Sequence, residues 1–255
     1  MFTFNKTFQP FKYPFTGGSS YVAPYSIVSS TDPFNDGSLQ HKFEMENADA
    51  TVGVNATNEG ASFSVGEFNQ AVSFNGSSRF SVPSTTLTDN IFSYSVWINP
   101  TVSSAEAKYI VDFTTGRNIL SAGSTMNENI SAFNGTDWVN CGFAVPLNSW
   151  THIVLTSNGS TFKIYKDKVL ANTSTVAMAS MGAGEWAIGS NRSSNVSNFS
   201  GKIDQLEIYN RVLVQSEIDK LFTQTSNGKV ITVTTWVDEN SLPWIDENNN
   251  EWSSI

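Results

Sequence analysis

The sequence predicts an all-β fold, a two-sheet antiparallel sandwich over residues 39–222, and three observations carry that reading. Charged residues make up only 15% of the chain, and much of its polarity comes from Asn, Ser and Thr. Their short side chains favour turns and strand faces over helix interiors. Several segments alternate with the two-residue period of a strand, and turn residues separate them. With 39% hydrophobic and 13% aromatic residues, the chain can fill a substantial core.

The elements follow in order. In FSYSVWINP, Phe92, Tyr94, Val96 and Ile98 fall on one face, and Ser93, Ser95 and Trp97 on the other. In WTHIVLTSNG, Trp150, His152 and Val154 share a face, while Thr151, Ile153 and Leu155 share the opposite one. Neither face is wholly polar, as expected of strands inside a sandwich. Asn158-Gly159 between alternating segments predicts a hairpin into TFKIYKDKVL. The segment VQSEIDKLF, 214–222, reads as the one short helix, with Ser216 as its cap and Ile218, Leu221 and Phe222 toward the sandwich.

Two extensions flank the sandwich. Residues 1–38 carry Phe2, Phe4, Phe8, Phe11, Phe15, Tyr13, Tyr21 and Tyr25 among Pro10, Pro14, Pro24 and Pro33. The prolines exclude a long helix. So many rings in water predict an arm that packs on something, this chain's own sandwich or a neighbouring subunit. Residues 223–255 hold a strand candidate, KVITVTTWV, and then Trp236, Trp244 and Trp252 at eight-residue intervals. An even interval puts all three rings on one side of an extended strand.

Composition narrows the function classes. A net charge of −9 and an acidic isoelectric point disfavour phosphate backbones, so no nucleic-acid partner is expected. No apolar run is long enough to span a bilayer, and MFTFNKTFQPFKYPF lacks the apolar core of a signal peptide. Cys141 is the only cysteine, which leaves no intrachain disulfide and reads as a small buried hydrophobe. Ten N-x-[ST] sequons occur; in a chain without an export signal they reflect the Asn, Ser and Thr content.

A set of motifs also carries a resemblance. FNQAVSFNGSSRFSVP (68–83), FSYSVWINP (92–100), LNSWTHIVLTSNGSTFKIYKDKV (147–169), WAIGSN (186–191) and FSGKIDQLEIYNRVLVQSEIDKLF (199–222) stand in the order and at the spacing of a known family. The segment resembles the laminin-G-like, concanavalin-A-like lectin/glucanase superfamily. The resemblance implies two curved antiparallel sheets in jelly-roll order. It leaves function open, because the fold hosts lectins, glycosidases, lyases and structural modules.

The expectations for chemistry follow from that resemblance. Glucanases on this fold use a Glu-x-Asp-x-x-Glu strand, which is missing here. Asp204 and Glu207 are expected on opposite faces of their strand, where they cannot act on one bond. No catalytic residues are therefore assigned. Family members often hold one structural calcium ion, and Asp204, the carbonyl of Gly76, and Glu44 or Glu46 match its ligand positions. Lectins of the fold use an aromatic platform with Asn or Asp beside it. Trp138 is the candidate platform, with Asn134 and Asp137, whereas Trp97, Trp150 and Trp186 match packing positions. Laminin-G-like domains with such tails resemble those of bacteriophage structural proteins. The leading expectation is thus a virion subunit, made in the host cytoplasm without a signal peptide. It would be a capsid decoration, head fibre or tail component. Residues 1–38 and 223–255 would dock on other virion subunits or on copies of itself, and the sandwich would face cell-surface glycans. A stand-alone lectin is the alternative, and a divergent glycosidase or lyase the third reading.

Overall fold

A computed structural model describes residues 32–84, 89–102, 107–113, 118–122, 129–192 and 197–223. The expectations placed on residues 1–31 and 224–255, including the Trp repeat, lie outside the described residues. The chain opens with β1 (Leu39–Phe43), β2 (Thr57–Glu59), β3 (Ser62–Val65), β4 (Gln70–Asn75) and β5 (Arg79–Val82). Next come β6 (Ile91–Pro100), β7 (Lys108–Phe113), β8 (Asn118–Ala122), β9 (Ser131–Asn134) and β10 (Trp138–Asn140). Then follow β11 (Thr151–Asn158), β12 (Phe162–Lys166), β13 (Val169–Ser174), β14 (Trp186–Ile188), β15 (Ser200–Tyr209) and the helix α1 (Gln215–Phe222).

The strands form two antiparallel sheets, as the sequence predicts. The eight-stranded sheet runs β13-β12-β11-β6-β15-β4-β3, with β1 also on β15. The seven-stranded sheet runs β10-β9-β8-β7-β14-β5-β2. The expected alternation in β6 and β11 is present: Val96 lies opposite Ile153, and Trp97 opposite His152. Facing pairs across a ladder share a face, so Tyr94, Val96, Ile98, Ile153 and Leu155 point into the core, where each is fully buried. Trp186 of β14 enters the same core from the other sheet. Its ring lies 4.9 Å from Phe113 and 6.0 Å from Phe43. The Asn158-Gly159 hairpin is also present. Asn158 Oδ1 accepts the backbone N–H groups of Ser160 and Thr161, and Gly159 supplies a φ of 86°.

β15 departs from simple alternation. Its first half pairs with β4 and its second half with β1, and the change falls at Asp204-Gln205. Gln205 takes a φ of 45°. Across the ladder to β6, Asp204 lies opposite Trp97 and Glu207 opposite Ser95. Three steps on β15 therefore match two on β6, which is a β-bulge. Trp97 and Ser95 share a face, so Asp204 and Glu207 share it too. This corrects the expectation that the two carboxylates point to opposite sides.

That outer face of the eight-stranded sheet is not left open. Ile218 and Leu221 of α1 pack on Leu39, Val154, Tyr165, Tyr209 and Leu213 as a second apolar layer. Phe222 stacks on Trp97 at 5.3 Å. The helix starts differently from the expected Ser216 cap. Val214 holds the cap position, and its N–H donates to the Glu217 carboxylate at 2.9 Å. Arg211 forks onto both Glu217 oxygens at 2.7 Å and also pairs with Asp36. Residues 32–38 close over this corner. Phe34 lies 5.3 Å from the Tyr209 ring, beneath Arg211 and Lys220, and Lys220 donates to the Pro33 carbonyl.

The central pairing of β15 with β6 gives a test. Gly201 has a φ of 142°, and a β-carbon there would fall 2.3 Å from the Asn99 carbonyl oxygen and 2.7 Å from the Pro100 α-carbon. Both are backbone atoms of β6 and cannot step aside. Gly201→Ala is expected to cost about 3 kcal/mol in urea unfolding. A loss below about 1 kcal/mol would show that β15 can slide at this point.

Candidate functional site

The two outer faces differ. On the eight-stranded sheet, the row beneath α1 holds Lys42, Ser95, His152, Glu207 and Tyr209, all buried. Lys42 Nζ lies 3.2 Å from Glu207 Oε1 and 3.6 Å from Glu44 Oε1. Tyr209 donates to the other Glu207 oxygen at 2.5 Å. Ser95 Oγ and His152 Nε2 are 2.7 Å apart. Burial pushes His152 down to about 3, so its ring is neutral across the working pH range. Trp97 and Phe222 lie against that ring. Asp204 and Glu207 thus share a face, but both are closed from solvent. Glu207 is engaged by a lysine and a tyrosine, and neither carboxylate meets a space for a sugar.

The residues expected to hold a metal are only partly brought together. Asp204 Oδ2 accepts the Phe68 N–H at 3.0 Å. Glu46 Oε1 accepts the Gln70 N–H, and the Glu44 carbonyl accepts from Gln205 Nε2 at 3.5 Å. Gly76 is elsewhere. Its N–H donates to the Phe199 carbonyl, which is five residues before Asp204 and roughly 16 Å away at the rise of a strand. Asp204 Oδ1 and Gln205 Oε1 are buried with no hydrogen-bond partner. These oxygens and the Glu44 carbonyl are hard donors of the type calcium takes, and Gly76 lies apart from them. Among the described residues, no three His, Cys, Asp or Glu side chains gather around one point.

The seven-stranded sheet presents a different outer face. Trp138 lies opposite Phe133, Phe133 opposite Ile119, and Ile119 opposite Asp112. The neighbouring row runs Asn140, Ser131, Ser121 and Tyr109. Ser121 and Ser131 are small and fully buried, and Ser121 Oγ donates to the Lys108 carbonyl. The Tyr109 ring reaches 5.9 Å from the Trp138 ring, and Phe133 supports Trp138 at 5.3 Å. Tyr109 and Trp138 remain partly exposed. The result, among the described residues, is an aromatic cluster on the outer face of this sheet.

Trp138 stands on the outer face of this sheet among other rings, and its expected companions lie differently. Asn134 is buried, and its Oδ1 accepts the N–H groups of Thr136 at 2.9 Å and Asp137 at 2.8 Å. It holds the β9–β10 turn and does not face a ligand. Asp137 is exposed at that turn, beside Trp138. Tyr109 and Phe133 were not singled out in the sequence. Phe133 and Trp138 flank the turn signal Asn134-Gly135-Thr136-Asp137, so their cross-strand pairing had a signal. Tyr109 had none, because its position follows from the order β10-β9-β8-β7.

Residues 74–219, more than half of the chain, match the family model of the concanavalin A-like lectin/glucanases superfamily. The chain belongs to that superfamily. Among solved structures of the superfamily fold, domain 4 of the GH43 extracellular arabinanase AbnA from Geobacillus stearothermophilus, in complex with arabinotriose, is 20% identical. It has a TM-score of 0.61, over 73% of this chain and 98% of that one. The binding domain of Paraclostridial Mosquitocidal Protein 1 is 16% identical at a TM-score of 0.59, over 72% of this chain and 52% of that one. A Trypanosoma rangeli sialidase is 18% identical at 0.57, over 72% of this chain and 32% of that one. At these identities the likeness is one of fold, and the chain spans about half of the second protein and about a third of the third. No curated protein sequence matches the chain.

Within this superfamily sandwich, Asp204 gives a test at the β15 bulge. Burial raises its carboxyl from 3.8 to about 7, partly offset by backbone N–H groups led by that of Phe68, while the charge of Glu46 adds to the rise. The folded chain thus binds more protons than the unfolded chain between about pH 4 and pH 7. Stability is expected to fall as pH rises through that window, by at most about 1.4 kcal/mol per unit. Asp204→Asn should flatten the slope in urea titrations without calcium. A slope that the substitution leaves intact would place its origin elsewhere.

Proposed function

We propose that this chain is a non-catalytic glycan-binding subunit of a larger assembly, and that its platform of Tyr109 and Trp138, backed by Phe133, contacts the sugar. The platform is the observation that carries the reading. Sugar rings stack their C–H faces on aromatic rings, and a rigid sheet holds those rings at low entropic cost. The closed state of Asp204 and Glu207 supports a role without bond cleavage. The likeness to a domain solved with arabinotriose and to a toxin's binding domain supports a binding role. A structural calcium at Asp204 belongs to the same proposal. It would favour the ionised carboxylate, so the Asp204 pH titration repeated with calcium should recover the stability lost near pH 7.

The assembly we favour is a virion. Support comes from the aromatic residues of 1–38 and the three tryptophans of 223–255, a composition suited to burial against other subunits. Light scattering on the full chain is expected to show an oligomer, and a monodisperse monomer would count against assembly through these segments. The binding test is separate. On a glycan array, Trp138→Ala is expected to lower binding at least about tenfold, or 1.4 kcal/mol, while the thermal midpoint stays within about 2 °C of the parent. Binding untouched by Trp138→Ala would remove the platform from the reading.

A further inference from the structure

The outer face of the seven-stranded sheet carries charge as well as rings. Asp112 lies in the Trp138 row, and its Oδ2 accepts the Arg192 backbone N–H at 3.0 Å. Asp137 is exposed next to Trp138, and Glu185 is exposed next to Trp186 at the start of β14. At the far edge, Glu59 faces Arg79. The bases are few. Arg79 is committed: it pairs with Glu59 at 2.9 Å and donates to the carbonyls of Asn191 and Arg192. Glu59 also accepts from Ser81 at 2.6 Å. Arg192 stands in the rim loop after β14. Lys108 starts β7 opposite Ala122, on the other side of the alternation from Tyr109.

Recognition of a carboxylated or sulfated sugar calls for a guanidinium or ammonium aimed at the ligand. Among the described residues, the guanidinium of Arg79, at the far edge of this face, is used up inside the protein. The remaining carboxylates add to a chain of net charge −9. We infer that the platform selects uncharged glycans and discriminates against sialylated, uronic-acid and sulfated ones, with Asp137 and Glu185 as the exposed groups that set the bias. The inference rests on the proposed glycan-binding reading and assigns its ligand class. Neutral sugars lose nothing from the acidic surroundings, since their hydroxyls donate readily to carboxylates. An anionic sugar meets unpaired charge of its own sign, which works against binding.

The test uses the full-length chain on an array that prints neutral glycans beside their sialylated or uronic-acid counterparts. At low salt the neutral member of a pair should bind about fivefold or more tightly, and the gap should narrow at higher ionic strength. The double variant Asp137→Asn with Glu185→Gln should narrow it as well, by raising the binding of the anionic members. Equal or tighter binding of the anionic members would overturn the inference while leaving the platform in place. Binding to no glycan of either kind would instead overturn the platform reading on which it rests.

Discussion

β15 can serve β4 along its first half and β1 along its second only because its backbone breaks step at Gln205. The left-handed conformation there carries the strand across from one partner to the other. Asp204 makes the break tolerable by accepting the Phe68 N–H, an amide left without a ladder partner where β3 gives way to β4. Gly66 belongs to the same device, since a β-carbon on it would fall 2.5 Å from Asp204 Oδ2. The bulge then sets the phase of everything beyond it. Glu207 and Tyr209 come out on the outer face, and Leu206 and Ile208 stay in the core.

That phase decides which outer face is available. Tyr209, brought outward, joins Leu39, Val154 and Tyr165 in an apolar surface that α1 must cover. The helix is short, and an eight-residue helix is marginal by itself. It is held by the Glu217 carboxylate at its start and by the Arg211 fork linking it to Asp36. Once α1 is seated, Phe222 seals Trp97 and His152. Below it, Ser95 pairs with His152, and Glu207 with Lys42 and Tyr209.

Much of this architecture was readable from alternation alone. The faces of β6 and β11, the Asn158-Gly159 hairpin and the apolar side of α1 all follow from residue order. The phase of Asp204 and Glu207 did not, because a bulge adds a residue without changing the apolar pattern around it: Ile203, Leu206 and Ile208 are apolar on either count. The helix cap misled for a related reason. Ser216 is the better capping side chain, but Glu217 reaches back to the Val214 N–H with Arg211 fixing it, and that clamp depends on a distant Asp36. At the platform, Trp138 was legible as a ring in a polar setting. Asn134 was misassigned because a residue followed by Gly-Thr-Asp serves its own turn first. Tyr109 is joined to Trp138 only through sheet order.

The meeting of Tyr109 and Trp138 rests on residue size. Ser121 and Ser131 occupy the two strands between Tyr109 and Trp138, and both are small and fully buried. Larger residues there would keep the two rings apart, each standing over its own strand. With serines below, Tyr109 leans inward to meet Trp138, and both rings keep part of their surface in water. Apolar surface is normally covered where a helix or loop can reach it, and the chain spends its only described helix on the opposite sheet. Among the described residues, two partly exposed rings thus stand on one outer face while a helix covers the other.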